Sequence, residues 1–436
     1  MSGHLFFCLL FLSTDCDWKT AIMSIIKDEA TVTAKRPPSL WRNRDYMLLW
    51  SGQMVSSIGT EVSTLAFPLL ILALTGSPAT AGFAGALRAL PYLVFSLPAG
   101  ALIDRWDRKR VMILCDSGRA LSMASIPVAL AFGYLSILQI YGVSLIEGTL
   151  FVFFNLAEVA CLPRVVTKEQ LPAASAQHEV SFGITALIGP SLGGALYSVA
   201  RMLPFLGDAI SYAASVGSLF LIRTKFQQER VATRQSIWVD IREGLVWLWK
   251  QPLIRFMAIL TGGYNLIFPG FTLITIVLAQ RQHASSLTIG LIFAAGGIGA
   301  IVGAIFASFL QKRLSFAQAI IGATCLIVIA TPLYAIAPNA VALGAVAAFN
   351  ADIGPLYNVV QFSYRLALIP DALQGRVNSV FRLIAFGGQP LGLALTGLLI
   401  QNVGVIWTIW LCTAGLGILA VATIANRHVR NARSIA

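Results

Sequence analysis

Hydrophobic and polar positions alternate along this chain over a long range. About a dozen apolar stretches of roughly 20 residues are separated by short polar breaks. A helix of that length matches the roughly 30 Å hydrocarbon core of a bilayer. A backbone in lipid must satisfy its own hydrogen bonds, so each stretch predicts a spanning helix. The pattern predicts spans near 46–74, 80–103, 111–132, 137–161, 180–200 and 203–222, then near 253–279, 287–310, 316–337, 340–362, 379–401 and 404–425. The predicted fold class is an all-α membrane protein with twelve transmembrane helices in two six-helix bundles. An even number of crossings puts both termini on one side.

The charges say which side. Arg105, Arg108, Lys109 and Arg110 fall in one break, Arg164 and Lys168 in the next of the same set, then Arg223, Lys225, Arg230, Arg234, Arg242 and Lys250. Lys312, Arg313, Arg365 and Arg376 continue the set, whereas the opposite breaks hold only Arg201 and Arg281. The basic side is expected to be cytoplasmic, at a cell membrane. The domain reading is an N-terminal cytoplasmic extension (1–40), a first bundle (41–222), a linker (223–252), a second bundle (253–425) and a cytoplasmic tail (426–436). Within the extension, Leu5 to Leu12 is too short to span and no lysine or arginine precedes it, so a signal peptide is not expected; Met23 is an alternative start. In the linker, Ile237, Ile241, Leu245 and Leu248 recur at helical spacing, with Trp238, Trp247 and Trp249 nearby and Asp240, Arg242, Glu243 and Lys250 for polarity. This predicts an amphipathic helix lying at the cytoplasmic interface.

Composition narrows the classes. The chain is 57% hydrophobic and 11% charged, with mean hydropathy +0.77, against about 25% charge in soluble domains. Its net charge of +12 belongs to residues flanking spans and does not point to nucleic acid. Cys8, Cys16, Cys115, Cys161, Cys325 and Cys412 lack metal or disulfide spacing. His4, His178, His283 and His428 are far apart, there is no Walker pattern, and no N-x-[ST] sequon occurs. An enzyme, a metal and a cofactor are therefore not expected. The expected partners are protons, a small-molecule substrate and the lipid bilayer, and the chain is expected to be a monomer.

Two motifs stand out. Gly100-Ala-Leu-Ile-Asp104-Arg105-Trp-Asp107-Arg108-Lys109-Arg110 joins spans two and three. It resembles the G-x-x-x-D-R-x-x-R-[KR] signature of the major facilitator superfamily, with Asp107 where many members have glycine. Gly100 is expected to allow close helix approach and Asp104 to gate the cytoplasmic side. In the second half Lys312 replaces Asp104. The second motif, Gly189-Pro190-Ser-Leu-Gly193-Gly194 in span five, resembles the core of a signature of proton-coupled exporters, although Thr185 stands where a further glycine is usual. Its small residues let a neighbour approach closely, and Pro190 can kink the helix. Pro204 to Tyr212 and Gly375 to Ser379 resemble segments of the drug:proton antiporter branch that includes enterobactin and macrolide exporters. The two halves also echo each other: Ser77, Gly82 and Arg105 align with Ser285, Gly290 and Arg313 at one offset, and Pro190 with Pro390 at another. Duplicated halves with a site between them are a secondary-transporter architecture.

Charges inside spans cost about 2.5–3.5 kcal/mol each and normally face a partner or a wet cavity. Glu61 lies near the middle of span one, on a polar face with Gln53, Ser57 and Thr64, and Arg88 of span two is a potential partner. Glu147 and Glu158 share a face of span four. Asp352 and Asp208 complete the proton-coupling candidates, with Asp208 expected near the outer end. Arg119 is a second charge partner, and Asp116, Arg119 and Glu158 are expected near the cytoplasmic ends. Substrate-cavity candidates are Gln53, Ser57, Tyr264, Asn265, Asn350 and Asn358, the last two on a polar side of span ten with Tyr357 and Gln361; Gly262-Gly263 with Pro269 and Gly270 can break span seven. The resemblance implies proton-coupled export of an amphipathic small molecule of drug, macrolide or siderophore class by alternating access. Uptake or facilitated passage of a lipid or sugar is the alternative, and a non-transporting receptor or scaffold is the alternative of another class.

Overall fold

The structure, a computed structural model, describes residues 39–103, 105–224, 226, 237–311, 313–370 and 373–432. Those residues fold into helices and short connections, with no strand among them. The polar breaks act largely as caps. Asn43 accepts from the Tyr46 amide and starts α1 (Arg44–Thr75), and Gly76, in the left-handed conformation at φ 63°, ends it. The first half continues with α2 (Pro78–Ile103), α3 (Arg108–Ala131), α4 (Ile137–Val165), α5 (Leu171–Val199) and α6 (Leu203–Leu221). Asp107 is the cap of α3 and accepts from the Arg110 amide at 3.1 Å, which gives a local reason for aspartate at that position of the first motif.

The second half begins after α7 (Ile237–Lys250) with α8 (Pro252–Ile267) and α9 (Phe271–Arg281), separated by a 3-10 turn at Phe268–Gly270. The predicted break of span seven is therefore at Pro269, not at Gly262-Gly263. Then come α10 (Ser286–Leu310), α11 (Phe316–Ala330), α12 (Ala340–Leu368), α13 (Gln374–Gly387), α14 (Gln389–Val403) and α15 (Val405–Ala425). The helix α5 starts nine residues before the predicted span. Its first turns carry Ser175, His178 and Glu179, which face an open cavity instead of lipid, and Gln177, which accepts from the Tyr46 hydroxyl at 3.2 Å.

Eleven helices among the described residues are long and apolar enough to cross a membrane. The predicted sixth span is present as α6, a 19-residue helix, but is not one of the eleven. Asp208, Ser211, Tyr212 and Ser215 dilute its apolar character, and all four are buried against protein.

Within the first half α1 packs on α5 and α6, α2 on α4, and α3 on α4 and α6; within the second, α10 packs on α12, α11 on α12 and α15, and α8 on α13. Two seams join the halves, α5 with α10 and α2 with α14. Both are tightest near the weakly charged end. A β-carbon on Gly194 would lie 2.3 Å from the Ser286 carbonyl oxygen, and one on Gly82 would lie 2.6 Å from that of Leu393. Ser77 Oγ donates to Gln401 Oε1 at 2.9 Å beside the second seam. Such contacts bring backbones to van der Waals distance and need residues without side chains.

At the basic end, Lys109 Nζ donates to the Ile222 carbonyl at 2.7 Å and Arg108 Nη1 to the Ala160 carbonyl at 2.9 Å. Arg105 is exposed in the turn after α2. The expected close approach at Gly100 is not made: nothing lies within 4 Å of a β-carbon placed there, because the basic ends of the halves stand apart. Asp104, the remaining gating residue, lies outside the described residues, as do Lys225, Arg230, Arg234 and Lys312. The predicted linker helix forms as α7 and docks on the start of α13. Glu243 and Arg376 pair at 2.5 Å, and Gly244 packs against the Arg376 carbonyl. Leu248 is fully buried there, whereas Leu245, placed on the same apolar stripe from sequence, is exposed.

The seam makes a direct prediction. Gly194→Val forces α5 from α10 and disfavours the arrangement closed at the weakly charged end by about 1–3 kcal/mol, the usual cost of overpacking. Thiol labelling of a cysteine placed at that end should accelerate relative to the parent; an unchanged rate would show that the seam tolerates the added methyls.

Candidate functional site

Between the halves lies a cavity of about 1050 Å³. Its walls in the first half come from α1, α2, α4 and α5 with Arg119 of α3, and in the second from Phe268, Pro269, Thr272, Leu273, Gln389 and Leu393. Tyr46, Leu162 and Ser175 line it near the basic ends of their helices, and Ile71 and Ala81 lie toward the seams. It is thus wide toward the basic end and shut at the other.

Aromatic and aliphatic side chains dominate the lining, among them Trp50, Phe67, Phe151, Phe182 and Phe268. Gln53, Ser57 and Glu61 of α1 form the expected polar stripe on its wall, and Arg88, Arg119, Glu158 and Glu179 also reach it. Glu61 makes no hydrogen bond or ion pair with another described residue. Arg88, its expected partner, instead donates through Nη1 to Thr64 Oγ1 at 2.9 Å, one turn along α1, and lies 5.8 Å from the Phe67 ring. Behind Glu61 stands Gly189: a β-carbon there would come within 2.2 Å of the Glu61 Cβ. Gly193 packs similarly on the Val62 carbonyl. The second motif therefore clasps α1 with Gly189 and Gly193 and α10 with Pro190 and Gly194, whose neighbours are Gly290 and Ser286.

Deeper in the first half is a buried charge cluster. Arg119 is 2% exposed and its Nε and Nη2 donate to Glu147 Oε1 at 2.9 and 2.7 Å. Nη2 also reaches the Tyr212 hydroxyl at 2.6 Å, which itself donates to Glu147 Oε1 at 2.7 Å, while Nη1 pairs with Asp116 Oδ1 at 3.4 Å. The Tyr212 ring lies 4.1 Å below the guanidinium. Ser215 Oγ donates to Asp116 Oδ2 at 2.6 Å and accepts from Gln53 Nε2 at 3.2 Å; Thr60 Oγ1 pairs with the Tyr212 hydroxyl at 2.8 Å. Four helices, α1, α3, α4 and α6, meet at this one cation.

Several expectations change. Asp116 and Arg119 sit in the middle of α3, not near its cytoplasmic end, and Glu147 and Glu158 diverge: Glu147 turns inward to Arg119, Glu158 to the cavity. Asp208 is not near an outer end. It is fully buried beside Gly59 and Ser211, halfway along α1, with Oδ2 unpartnered among the described residues. Asp352 lies between α12 and Gly303 of α10, away from the cavity, and its Oδ1 is also unpartnered among the described residues. The four candidates from the second half do not line the cavity either. Tyr264 donates to Thr324 at 2.7 Å, Asn265 to the Thr261 carbonyl at 3.1 Å of its own helix, Asn350 to Val346 and Ala330 carbonyls, and Asn358 is exposed elsewhere. Sequence reasoning assigned no role to Thr60, Tyr212 or Ser215. The spacing of Asp208, Ser211, Tyr212 and Ser215 on one face of α6 is the signal that marks them.

Comparison with known proteins adds context. Residues 37–435 match the family described as transmembrane secretion effector. The chain is 26% identical over 406 residues to the multidrug efflux pump Tap of Mycolicibacterium fortuitum, covering 88% of this chain and 96% of that protein. It is 24% identical over 404 residues to macrolide efflux protein A of Streptococcus pyogenes, covering 88% and 95%. A bacterial homologue of the iron transporter ferroportin, solved in its inward-facing state, superposes with a TM-score of 0.72 at 15% identity over 88% of this chain and 98% of that one.

The cluster carries a stability prediction. Removing Arg119 strands Glu147 and Asp116 without a cation, so Arg119→Leu should destabilise the protein by about 3–5 kcal/mol. Adding Glu147→Leu should recover part of that loss. Thermal unfolding of the detergent-solubilised variants measures both; strictly additive losses would mean that the two groups do not act as a pair.

Proposed function

The chain belongs to the transmembrane secretion effector family of the major facilitator superfamily, a family of transporters and not of enzymes, and from that premise we propose a proton-coupled exporter of amphipathic small molecules. It works by alternating access between two six-helix bundles, with α6 as the sixth crossing of the first. The basic end is cytoplasmic, so the structure corresponds to an inward-open state that takes substrate from the cell interior or inner leaflet. Both termini are cytoplasmic, and the exporter functions as a monomer in the cell membrane.

One observation carries the coupling. Glu61 stands in the cavity wall with no ion pair or hydrogen bond to another described residue, and it is pressed on Gly189, in the helix that forms one seam. A proton reaching Glu61 changes the charge exactly where α1 bears on α5, and α5 bears on α10. The charge balance supports the same reading: among the described residues inside the helices of the first half, the five carboxyls of Glu61, Asp116, Glu147, Glu158 and Asp208 stand against the two guanidiniums of Arg88 and Arg119. Proton binding shifts the state balance only if one state holds the proton better, and a moving seam beside Glu61 supplies that difference.

The lining supports the substrate class. Large aromatic walls hold apolar bodies of varied shape, and Glu61 and Glu158 favour a neutral or cationic polar group. That the relatives are named for multidrug and macrolide efflux supports export.

In cells lacking other pumps, expression should lower the accumulation of a lipophilic cationic dye severalfold, and an uncoupler should restore it. Glu61→Gln should unfold at the parent temperature and lose pH-gradient-driven efflux in proteoliposomes. Efflux that survives both the uncoupler and the substitution would refute proton coupling at this residue.

A further inference from the structure

The cavity wall holds a cation whose hydrogen bonds are mostly unspent. Of the two arginines that line it among the described residues, Arg119 is committed to Glu147, Tyr212 and Asp116. Arg88 gives one bond, from Nη1 to Thr64 Oγ1 at 2.9 Å, and makes no ion pair with a described residue. Its charge acts at longer range on Glu61, Glu147 and Asp208. Balance at a distance suits the charge but leaves the remaining N–H groups open, and these are directional donors in a planar fork. The backbone at Arg88 is pinned, because its carbonyl packs on Gly148 of α4, where a β-carbon would not fit. The open donors therefore sit on a fixed point of the wall.

Across the seam stands a second open polar group. The helices α2 and α14 run antiparallel: Gly82 meets Gly397, Gly82 and Gly85 meet Leu393, and Leu93 meets Gly387, just before α14. That register sets Gln389 of α14 level with Arg88. Gln389 lines the cavity, and its side chain makes no hydrogen bond among the described residues. Glu61 lies three residues before Thr64 on the same face of α1. An unpaired carboxyl thus stands roughly 5 Å along the wall from the point where Arg88 is anchored.

We propose that Arg88 and Gln389 form a subsite for an acidic oxygen of the substrate, a carboxylate or phenolate, while Glu61 takes its cationic group. The preferred substrate is then an apolar body that carries both charges. A carboxylate suits the guanidinium fork better than a neutral carbonyl does, because it accepts two parallel N–H bonds. The apolar body rests on Phe67 and Phe268, which line the same cavity. Arg382, the next cation along this seam, is already held by the Tyr92 hydroxyl at 2.5 Å. The subsite straddles α2 and α14, so its two members belong to bodies that part when the weakly charged end opens. The oxygen then loses one partner, and affinity falls on the side where the substrate leaves.

The inference rests on the cavity being the substrate site of an exporter, and its test separates the two. The probes are rhodamine B, a zwitterion, and its ethyl ester, the same dye as a cation. Fluorescence polarisation reads their binding to the full chain in lipid nanodiscs. The parent should bind rhodamine B roughly tenfold tighter than the ester, the scale of a hydrogen bond between charged groups. Arg88→Gln should bring that ratio close to one, and Gln389→Leu should lower it severalfold. Arg88→Lys, which keeps the charge and loses the fork, should lie between. Glu61→Gln should weaken both dyes alike. Thermal unfolding identifies the folded variants, and Gln389→Leu carries the test should Arg88→Gln fail to fold. A parent that binds the ester as tightly as rhodamine B overturns the subsite and leaves the exporter standing. So does a loss in Arg88→Gln shared equally by both dyes, which marks a structural role. A preference for rhodamine B that survives both Arg88→Gln and Gln389→Leu puts the oxygen elsewhere and also overturns it. Two dyes that neither bind nor are pumped in proteoliposomes overturn both readings.

Discussion

A guanidinium buried in the first half sets the character of the whole molecule. Arg119 cannot be left without anions in a lipid-surrounded core. Satisfying it requires Glu147 from α4, Asp116 from its own helix, the Tyr212 hydroxyl and ring from α6, and Thr60 from α1. The bonds to Glu147 and Tyr212 are short and directional, and those to Asp116 and Thr60 longer, so the four helices cannot slide past one another without breaking several at once. Lipid supplies little hydrophobic force between helices, which makes such polar fastening the means by which this half keeps its shape.

The second half is held together differently. Gly299 and Gly303 of α10 meet the backbone of α12, and Tyr264, Tyr357, Thr261 and Thr324 form a hydrogen-bonded aromatic core. Between two internally fastened halves, the seams are glycine against glycine: Gly194 with Gly290, Gly82 with Gly397. Surfaces that meet without interlocking side chains can roll. The rigidity of each half and the smoothness of the seams are therefore one design, since stiff bodies must move at the contacts that resist least.

The sequence made the helices legible because lipid imposes one length and one polarity on every span. It was less informative about rotation. Asn350 and Asn265 are as polar as Gln53, yet they turn to carbonyls of their own half, while Gln53 turns to the cavity and Ser215. Polarity requires only that a partner exist and does not choose between partners. The same degeneracy hid the pairing of charges. Arg88 and Glu61 share a depth, but Arg88 finds Thr64; Glu147 and Glu158 share a face of one helix, but a single adjacent guanidinium draws Glu147 inward. The early start of α5 is illegible for a related reason, because a helix facing a cavity carries the polar residues of a loop.

Motifs were legible as strings before their geometry was. Gly189, Pro190, Gly193 and Gly194 announce close packing, but only the fold shows that the four positions alternate between two neighbours, Glu61 and Val62 on one side and Gly290 and Ser286 on the other. That alternation has a mechanical consequence. A residue with a side chain at any of these glycines would separate α5 from one neighbour and leave it bearing on the other. With glycine at each, α5 lies against the Glu61 β-carbon and the Val62 backbone on one side and the α10 backbone on the other, so in the proposed cycle little side chain separates a displacement at Glu61 from the second half. In the proposed cycle, the shortest path from Glu61 to the α5–α10 contact between the halves is two helix backbones wide.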